Sequence, residues 1–250
     1  MVKILINGAL GRMGAKVKEA STENSRTQPV CGVDIKEDLS DANFPVYDGF
    51  DKVKTLPDVV VDFSSPSSLD AILAFCVKNS IPAVLCSTGY TEEHIEKINA
   101  AAKKIAIFRS ANMSLGVNVI IKLVKEAAEK LKGFDIEITE MHHNKKVDAP
   151  SGTAIMIADA VKSVCPEKYE IYGRHGKVGK RDENEIGIHA LRGGNVVGDH
   201  TVIFAGENEE ITLSHSAFDR KVFAEGAVKA AVYITKKQVG LFDMNDLINE

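Results

Sequence analysis

The chain has 250 residues and a formal net charge of −4, from 31 Lys plus Arg against 35 Asp plus Glu. That length allows one large domain or two smaller ones with a real core, and the mild negative charge argues against a general nucleic-acid or anionic-membrane binder. Hydrophobic residues at 44% and charged residues at 26% exclude a disordered chain, and the longest uncharged runs, such as Ser110 to Ile121, fall short of the ~20 residues that span a bilayer.

The opening MVKILINGALG does not read as a signal peptide, because its apolar run is short and leads straight into glycines. Lys3 to Asn7 reads as a strand ending at Gly8. Arg12 to Ala20 carries Met13, Val17 and Ala20 at helical spacing. Pro29 to Asp34, Asp58 to Phe63, Ile81 to Cys86 and Ile105 to Phe108 read as four further strands. Ser68 to Lys78 and Glu92 to Lys103 read as helices. The segment from Ser40 to Leu56 is less regular, a loop with a short strand or helix. Short, evenly apolar strands separated by helices predict a parallel sheet covered on both faces.

The pattern changes near residue 112. Val117, Ile120, Ile121, Val124, Ala128 and Leu131 mark one stripe of a long helix. Asp135 to Met141 alternates as a strand, and another helix follows Ser151. Ile186 to Leu191, Asn195 to Ala205 and Glu209 to Ser216 are consecutive strands joined by glycine turns, the pattern of an antiparallel or mixed sheet. A last helix spans about Val222 to Thr235. The fold class is therefore α/β: a Rossmann-type doubly wound sheet plus a second α+β domain.

Gly8, Gly11 and Gly14 form GxxGxxG between a strand and a helix, with Leu10, Arg12 and Met13 filling the loop. Such a loop lets a pyrophosphate approach the backbone at a helix N-terminus. Asp34, ending the second strand, is placed to bind ribose hydroxyls. The plain alternative is a tight turn whose glycines serve only packing. Asp34 repels a 2′-phosphate, whereas Arg12 and Lys36 attract one, so the cofactor is NADH, NADPH or both. Phe63, then Ser87, Thr88 and Gly89, and then Ser110, Asn112 and Met113 follow later strands on the same side of the sheet. They are candidates for the rest of the cofactor site. For Ser87 to Gly89 the plain reading is capping of the helix at Glu92.

Glu140 to Ala154 reads EMHHNKKVDAPSGTA. Ser151 is a candidate N-cap with Gly152 and Thr153 as first-turn donors. With lysine nearby, this is a seat for a carboxylate. His142 or His143 can exchange a proton near neutral pH, and a lysine near other charges can do the same. Alternation allows only one of the two histidines to face a given site. Asp148 can simply brace the turn. Adjacent histidines without a spaced acidic or Cys partner do not suit a metal. Cys31, Cys76, Cys86 and Cys165 form no CxxC pair and read as buried, reduced thiols, which points to the cytoplasm.

These segments, GxxGRMG, SANMSLGVN (Ser110 to Asn118) and the HHNKKVDAPSGTA block, resemble the 4-hydroxy-tetrahydrodipicolinate (dihydrodipicolinate) reductase family. The likeness continues through IHALRGGNVVGDHTVIF and GLFDMNDLI and covers essentially the whole chain. It implies NAD(P)H-dependent reduction of a dicarboxylate cyclic imine in the diaminopimelate route to lysine. It also implies proton donation by His142 and Lys146, and substrate contacts from His143, Ser151, Gly152 and Thr153. Residues 1–112 and 221–250 would bind the dinucleotide, and 113–220 the substrate, with a homotetramer built through the second sheet. Asp34-Ile35-Lys36 departs from the acid-then-arginine pair that some members carry, which leaves phosphate recognition open. Two other readings share the fold: another amino-acid or hydroxy-acid dehydrogenase, and a non-catalytic dinucleotide sensor.

Overall fold

The computed structural model describes residues 1–35 and 44–250. In chain order the elements begin with β1 (Val2–Asn7), α1 (Arg12–Glu23), β2 (Thr27–Val33), β3 (Val46–Tyr47), β4 (Val59–Asp62) and α2 (Leu69–Asn79). Next come β5 (Ala83–Leu85), α3 (Glu92–Ala102), β6 (Ala106–Arg109), α4 (Leu115–Lys130), β7 (Asp135–His142) and α5 (Gly152–Lys162). The chain ends with β8 (Tyr169–Tyr172), β9 (Glu185–Arg192), β10 (Gly198–Ala205), β11 (Glu210–Ala217), α6 (Lys221–Ile234), β12 (Gly240–Phe242) and α7 (Met244–Ile248). Two compact units result, Met1–Leu115 with Arg220–Glu250, and Gly116–Asp219.

The first unit holds a seven-stranded sheet in the order β12-β6-β5-β4-β1-β2-β3. Every pairing in it is parallel. Strand alternation explains why both faces are covered. Ile4, Ile6, Val59, Val61 and Val84 point into one core with Ala224, Ala227 and Ala231 of α6. Leu5, Val60, Ala83 and Leu85 point into the other, with Ile72 and Cys76 of α2 and Ile98 of α3. The strand order reverses between β1 and β4, the place where doubly wound sheets bind ligands beyond their carboxyl ends. The helix α6 returns from the far end of the chain to this sheet. Gly226 allows it: a Cβ there would lie 1.7 Å from the Met113 carbonyl oxygen.

The second unit is a five-stranded sheet, β11-β10-β7-β9-β8, with α4 and α5 on one face. Ile136, Ile138, Ile186, Ile188, Val202 and Phe204 fill the core on that face. The glycine turn between β9 and β10 does not make a hairpin. β7 lies between them, antiparallel to β10 and parallel to β9, so the sheet is mixed. Three short elements escaped the periodicity reading. β8 is an edge strand whose two tyrosines are exposed. β12 and α7 are too short for a pattern. Within the irregular segment, β3 and a single helical turn at Phe50–Lys52 form. Its residues 40–43, and Lys36 with its expected pull on a 2′-phosphate, lie outside the described residues.

Candidate active site

The glycine loop follows from backbone sterics. Gly8 has φ +78°, a conformation that favours glycine, and a Cβ there would sit 2.9 Å from the Phe63 carbonyl oxygen. A Cβ on Gly14 would lie 2.2 Å from the Gly8 oxygen, so α1 can press against the turn only as glycine. Gly11 is the N-cap of α1 and offers no side chain to the first turn, so the N–H groups of Arg12, Met13 and Gly14 point out of the helix end. Asp34 is buried, and its Oδ2 accepts from the Leu10 N–H at 2.9 Å, which ties the β2 end to the loop. A cavity of about 730 Å³ opens here, lined by Gly8, Gly11, Asp34, Asp48, Asp51, Phe63 and the serines at 64, 65, 67 and 68.

Asp62, at the end of β4, is fully buried. It accepts from Asn7 Nδ2 at 2.8 Å, Ser64 Oγ at 2.5 Å and Ser87 Oγ at 2.7 Å. This network fixes three strand ends at once, and neither Asn7 nor Asp62 stood out in the sequence. Ser87 is therefore committed to Asp62, while Thr88 and Gly89 stay exposed. Helix α3 is capped by Thr91, with His94 completing a capping box, so Ser87 to Gly89 are not its cap. Ser110 Oγ donates to the Asn112 carbonyl at 2.7 Å, and Asn112 Oδ1 accepts from Ser114 N at 2.9 Å, shaping the turn after β6. A second cavity of about 340 Å³ joins Arg12, Met13, Phe63, Asn112 and Met113 to Arg220 and Phe223, which sequence reasoning missed. The glycine cradle, the exposed helix end and these adjoining cavities fit a dinucleotide.

The second cluster lies at the carboxyl end of β7. Glu140 and His142 share the inner face of the sheet, two residues apart. The Glu140 carboxylate accepts from His142 Nδ1 at 2.6 Å, from Arg192 Nη1 and Nη2 at 2.8 Å each, and from the Ser151 N–H at 3.0 Å. Burial pushes the Glu140 carboxyl up, but Arg192, His142 and Ser151 outweigh it and hold it below the usual range. Ser151 caps α5 by accepting from Ala154 N at 3.2 Å, and its Oγ lies 2.9 Å from His200 Nε2. With Ser151 only 2% exposed, its hydroxyl is committed inside the protein, and Gly152 and Thr153 have the outer surface of the turn. Burial and the neighbouring His142 push His200 down to about 4, so this ring is neutral at pH 7.

Lys146 donates to both Asp148 oxygens at 2.7 Å. The ammonium beside it holds the Asp148 carboxyl below its ordinary value. Asp148 thus braces Lys146. His143 leaves the strand and donates its N–H to the Val196 carbonyl at 2.8 Å. His142, Lys146, Ser151, Gly152 and Thr153 are gathered at one end of the second unit. Among the described residues, no group of three or more His, Cys, Asp or Glu is arranged to hold a metal ion. Glu140, Arg192 and His200 were not singled out from sequence. Only Glu140 had a readable signal there, its i, i+2 spacing from His142.

Comparison with known proteins gives a consistent result. The family model described as "Dihydrodipicolinate reductase, N-terminus" matches residues 2–113, and "Dihydrodipicolinate reductase, C-terminus" matches residues 116–248. A 4-hydroxy-tetrahydrodipicolinate reductase of Caldanaerobacter subterraneus is 51% identical, covering 100% of this chain and 99% of that protein. One from Clostridium tetani is 48% identical over 100% of this chain and 98% of its own. Among solved structures, a dipicolinate-bound dihydrodipicolinate reductase from a Paenisporosarcina species superposes with TM-score 0.84 at 25% identity, covering 98% of this chain and 99% of that one. A probable dehydrogenase from Thermotoga maritima, at TM-score 0.64 and 14% identity over 99% and 93% of the chains, shares the fold alone.

Proposed function

The chain belongs to the dihydrodipicolinate reductase family, and from that premise we propose that it reduces 4-hydroxy-tetrahydrodipicolinate, a cyclic imine with two carboxylates, to tetrahydrodipicolinate in the diaminopimelate route to lysine. The observation that carries this reading is the cluster of His142, Lys146 and the Ser151-Gly152-Thr153 turn at one end of the mixed sheet. A proton donor beside both a lysine and a helix-end anion seat suits an imine that carries carboxylates.

The unit Met1–Leu115 with Arg220–Glu250 is the dinucleotide-binding part, and Gly116–Asp219 binds substrate. Gly8, Leu10, Gly11, Arg12, Met13 and Gly14 cradle the pyrophosphate of NADH or NADPH, and Asp34 takes the ribose end. Phe63, Ser87, Thr88, Gly89, Ser110, Asn112 and Met113 line the remainder. When bound, the dinucleotide supplies a hydride.

On the substrate side, the Gly152 and Thr153 N–H groups seat one carboxylate at the start of α5, with Ser151 setting the turn. Lys146 and His143 add donors, which orients the ring. Reduction adds one hydride and one proton, and the 4-hydroxyl leaves as water. His142 delivers the proton from Nε2, since its Nδ1 is held by Glu140, and Lys146 assists and stabilises developing negative charge. Replacing both by His142→Ala and Lys146→Gln should leave NADH affinity intact but lower kcat by about 10²–10⁴-fold. Near-normal turnover in that double variant would end the proposal.

The face of the mixed sheet opposite its helices carries Met141, Leu191 and Ile203, none of them fully buried, beside the edge strand β11. We read it as the surface of a homotetramer; a monomer mass by light scattering contradicts that. All four cysteines are free and buried, and no described helix is long and apolar enough to cross a membrane. Both fit a cytoplasmic enzyme.

A further inference from the structure

We propose that Glu140, clamped by Arg192, is the positioning residue of this site: it locks His142 with hydrogen on Nδ1, leaving Nε2 as the one nitrogen that exchanges a proton. The proposal rests on reading His142 as the proton donor. Its support is geometric. The Glu140 side chain is 0% exposed, yet four donors converge on its two oxygens. An ionised carboxylate only accepts, so the nitrogen 2.6 Å away must carry hydrogen in both the neutral and the cationic ring. Free imidazole is under no such constraint.

The other nitrogen is kept clear. A Cβ on Gly198 would lie 3.0 Å from His142 Nε2, so glycine at this point of β10 leaves that atom open. The His142 side chain is 12% exposed, enough to meet a ligand.

Arg192 makes the arrangement work in two ways. Its two-pronged contact keeps a buried carboxylate ionised against the pull of burial. It also donates to the Asp148 carbonyl at 2.8 Å, the residue that braces Lys146. Through the Ser151 N–H, the same carboxylate holds the start of α5. One buried ion pair thus fixes the ring, the lysine loop and the anion-seating turn. A purely structural ion pair can often be replaced by apolar residues without loss; this one also dictates a tautomer.

The groups around His142 are Glu140 on its own strand, Arg192 on β9, His200 on β10 and Ser151 at the cap of α5. The His200 ring centroid is 5.3 Å away. Lys146, in the loop after β7, and His215, on β11, are both close enough to act on His200. With His200 neutral, Glu140 is the negative charge in direct contact with the ring.

The test begins with the unaltered protein. Nitrogen-15 spectra of histidine-labelled enzyme at neutral pH, assigned with His142→Gln, should show the Nδ1–H tautomer at His142. A predominant Nε2–H form overturns the proposal. Glu140→Gln should then lower kcat by about 10²–10⁴-fold, the range lost when a proton donor is misplaced. In the same nitrogen-15 spectra it should also release His142 from the pure Nδ1–H form, because an amide can donate to Nδ1 as well as accept from it. Affinity for NADH should not change. Glu140→Asp, which keeps an acceptor-only carboxylate, should return the ring toward the Nδ1–H form. An unchanged kcat and tautomer in Glu140→Gln would leave the pair merely structural. If Glu140→Gln does not fold, the wild-type tautomer and Arg192→Lys decide: keeping the charge but losing the two-pronged contact should lower kcat with the tautomer retained. Lack of imine turnover by the unaltered enzyme would defeat the functional reading instead, with the tautomer result still standing.

Discussion

Removing the Ser151 hydroxyl isolates what that side chain does. Ser151→Ala keeps the backbone N–H on Glu140 but deletes an oxygen that accepts from Ala154 N at 3.2 Å and pairs with His200 Nε2 at 2.9 Å. Loss of an N-cap costs about 1 kcal/mol. His200 is 4% exposed and its Nδ1 has no partner among the described residues, so the variant strands the whole ring. A stranded buried nitrogen costs a further 1–3 kcal/mol or so, giving a total of roughly 2–4 kcal/mol. Urea unfolding at pH 7 should show this loss, with Ser151→Thr recovering part of it. Because the hydroxyl is committed inside the protein, KM for the imine should rise less than about threefold; a direct charged contact would be worth about 1.5–3 kcal/mol, tenfold or more. A stability loss under about 0.5 kcal/mol, the range of unremarkable substitutions, would refute the cap and the His200 bond. A KM rise of tenfold or more would put the hydroxyl on the substrate.

Glu137 on β7 accepts from Arg174, Arg181 and His189; burial opposes its ionisation, but those donors outweigh it and hold the carboxyl at about 2 against an ordinary 4.5. A lowered folded-state value gives stability that is present above about pH 4.5 and lost as pH falls toward 2, about 3 kcal/mol in all. Urea midpoints across that window should fall more steeply for the wild type than for Glu137→Gln, and parallel slopes would contradict the assignment. Gly14→Ala forces a Cβ to 2.2 Å from the Gly8 oxygen; it should cost about 1–3 kcal/mol of overpacking and weaken NADH binding in a fluorescence titration. Unchanged affinity and stability would mean the close approach is not needed. The larger cavity is lined by Asp34, Asp48 and Asp51 and by no described Lys or Arg, although Lys52 pairs with Asp48 at 2.6 Å. A 2′-phosphate should meet roughly 1–3 kcal/mol of repulsion there, so kcat/KM should favour NADH over NADPH by about 5- to 150-fold. A preference for NADPH would show that residues beyond these carboxylates set the choice.

The first unit was the more legible because its signals are local. Short, β-branched, evenly apolar runs such as DVVVDF read as two-face-buried strands, and Gly8, Gly11 and Gly14 mark a turn whose geometry needs glycine. The mixed sheet was less legible. β9 and β10 are consecutive and joined by a glycine turn, but hydrophobic alternation says which face is buried, not which strand is the neighbour. The same limit applies to the site. His142, Lys146 and Ser151 lie within one short block and announce themselves by type. Arg192 and His200 reach Glu140 and Ser151 only through β7–β9 and β7–β10 register, so nothing local marks them. Asp62 was hidden differently, as the polar end of an apolar strand whose partners, Asn7, Ser64 and Ser87, come from three loops and strand ends.

The central claim is the reaction itself. Generating the cyclic imine in situ from pyruvate and aspartate semialdehyde, then following nicotinamide absorbance with NADH and NADPH separately, tests it most directly. Imine-dependent oxidation is expected, faster with NADH at limiting cofactor. No consumption of either cofactor, by protein that binds NADH and is folded, would contradict it.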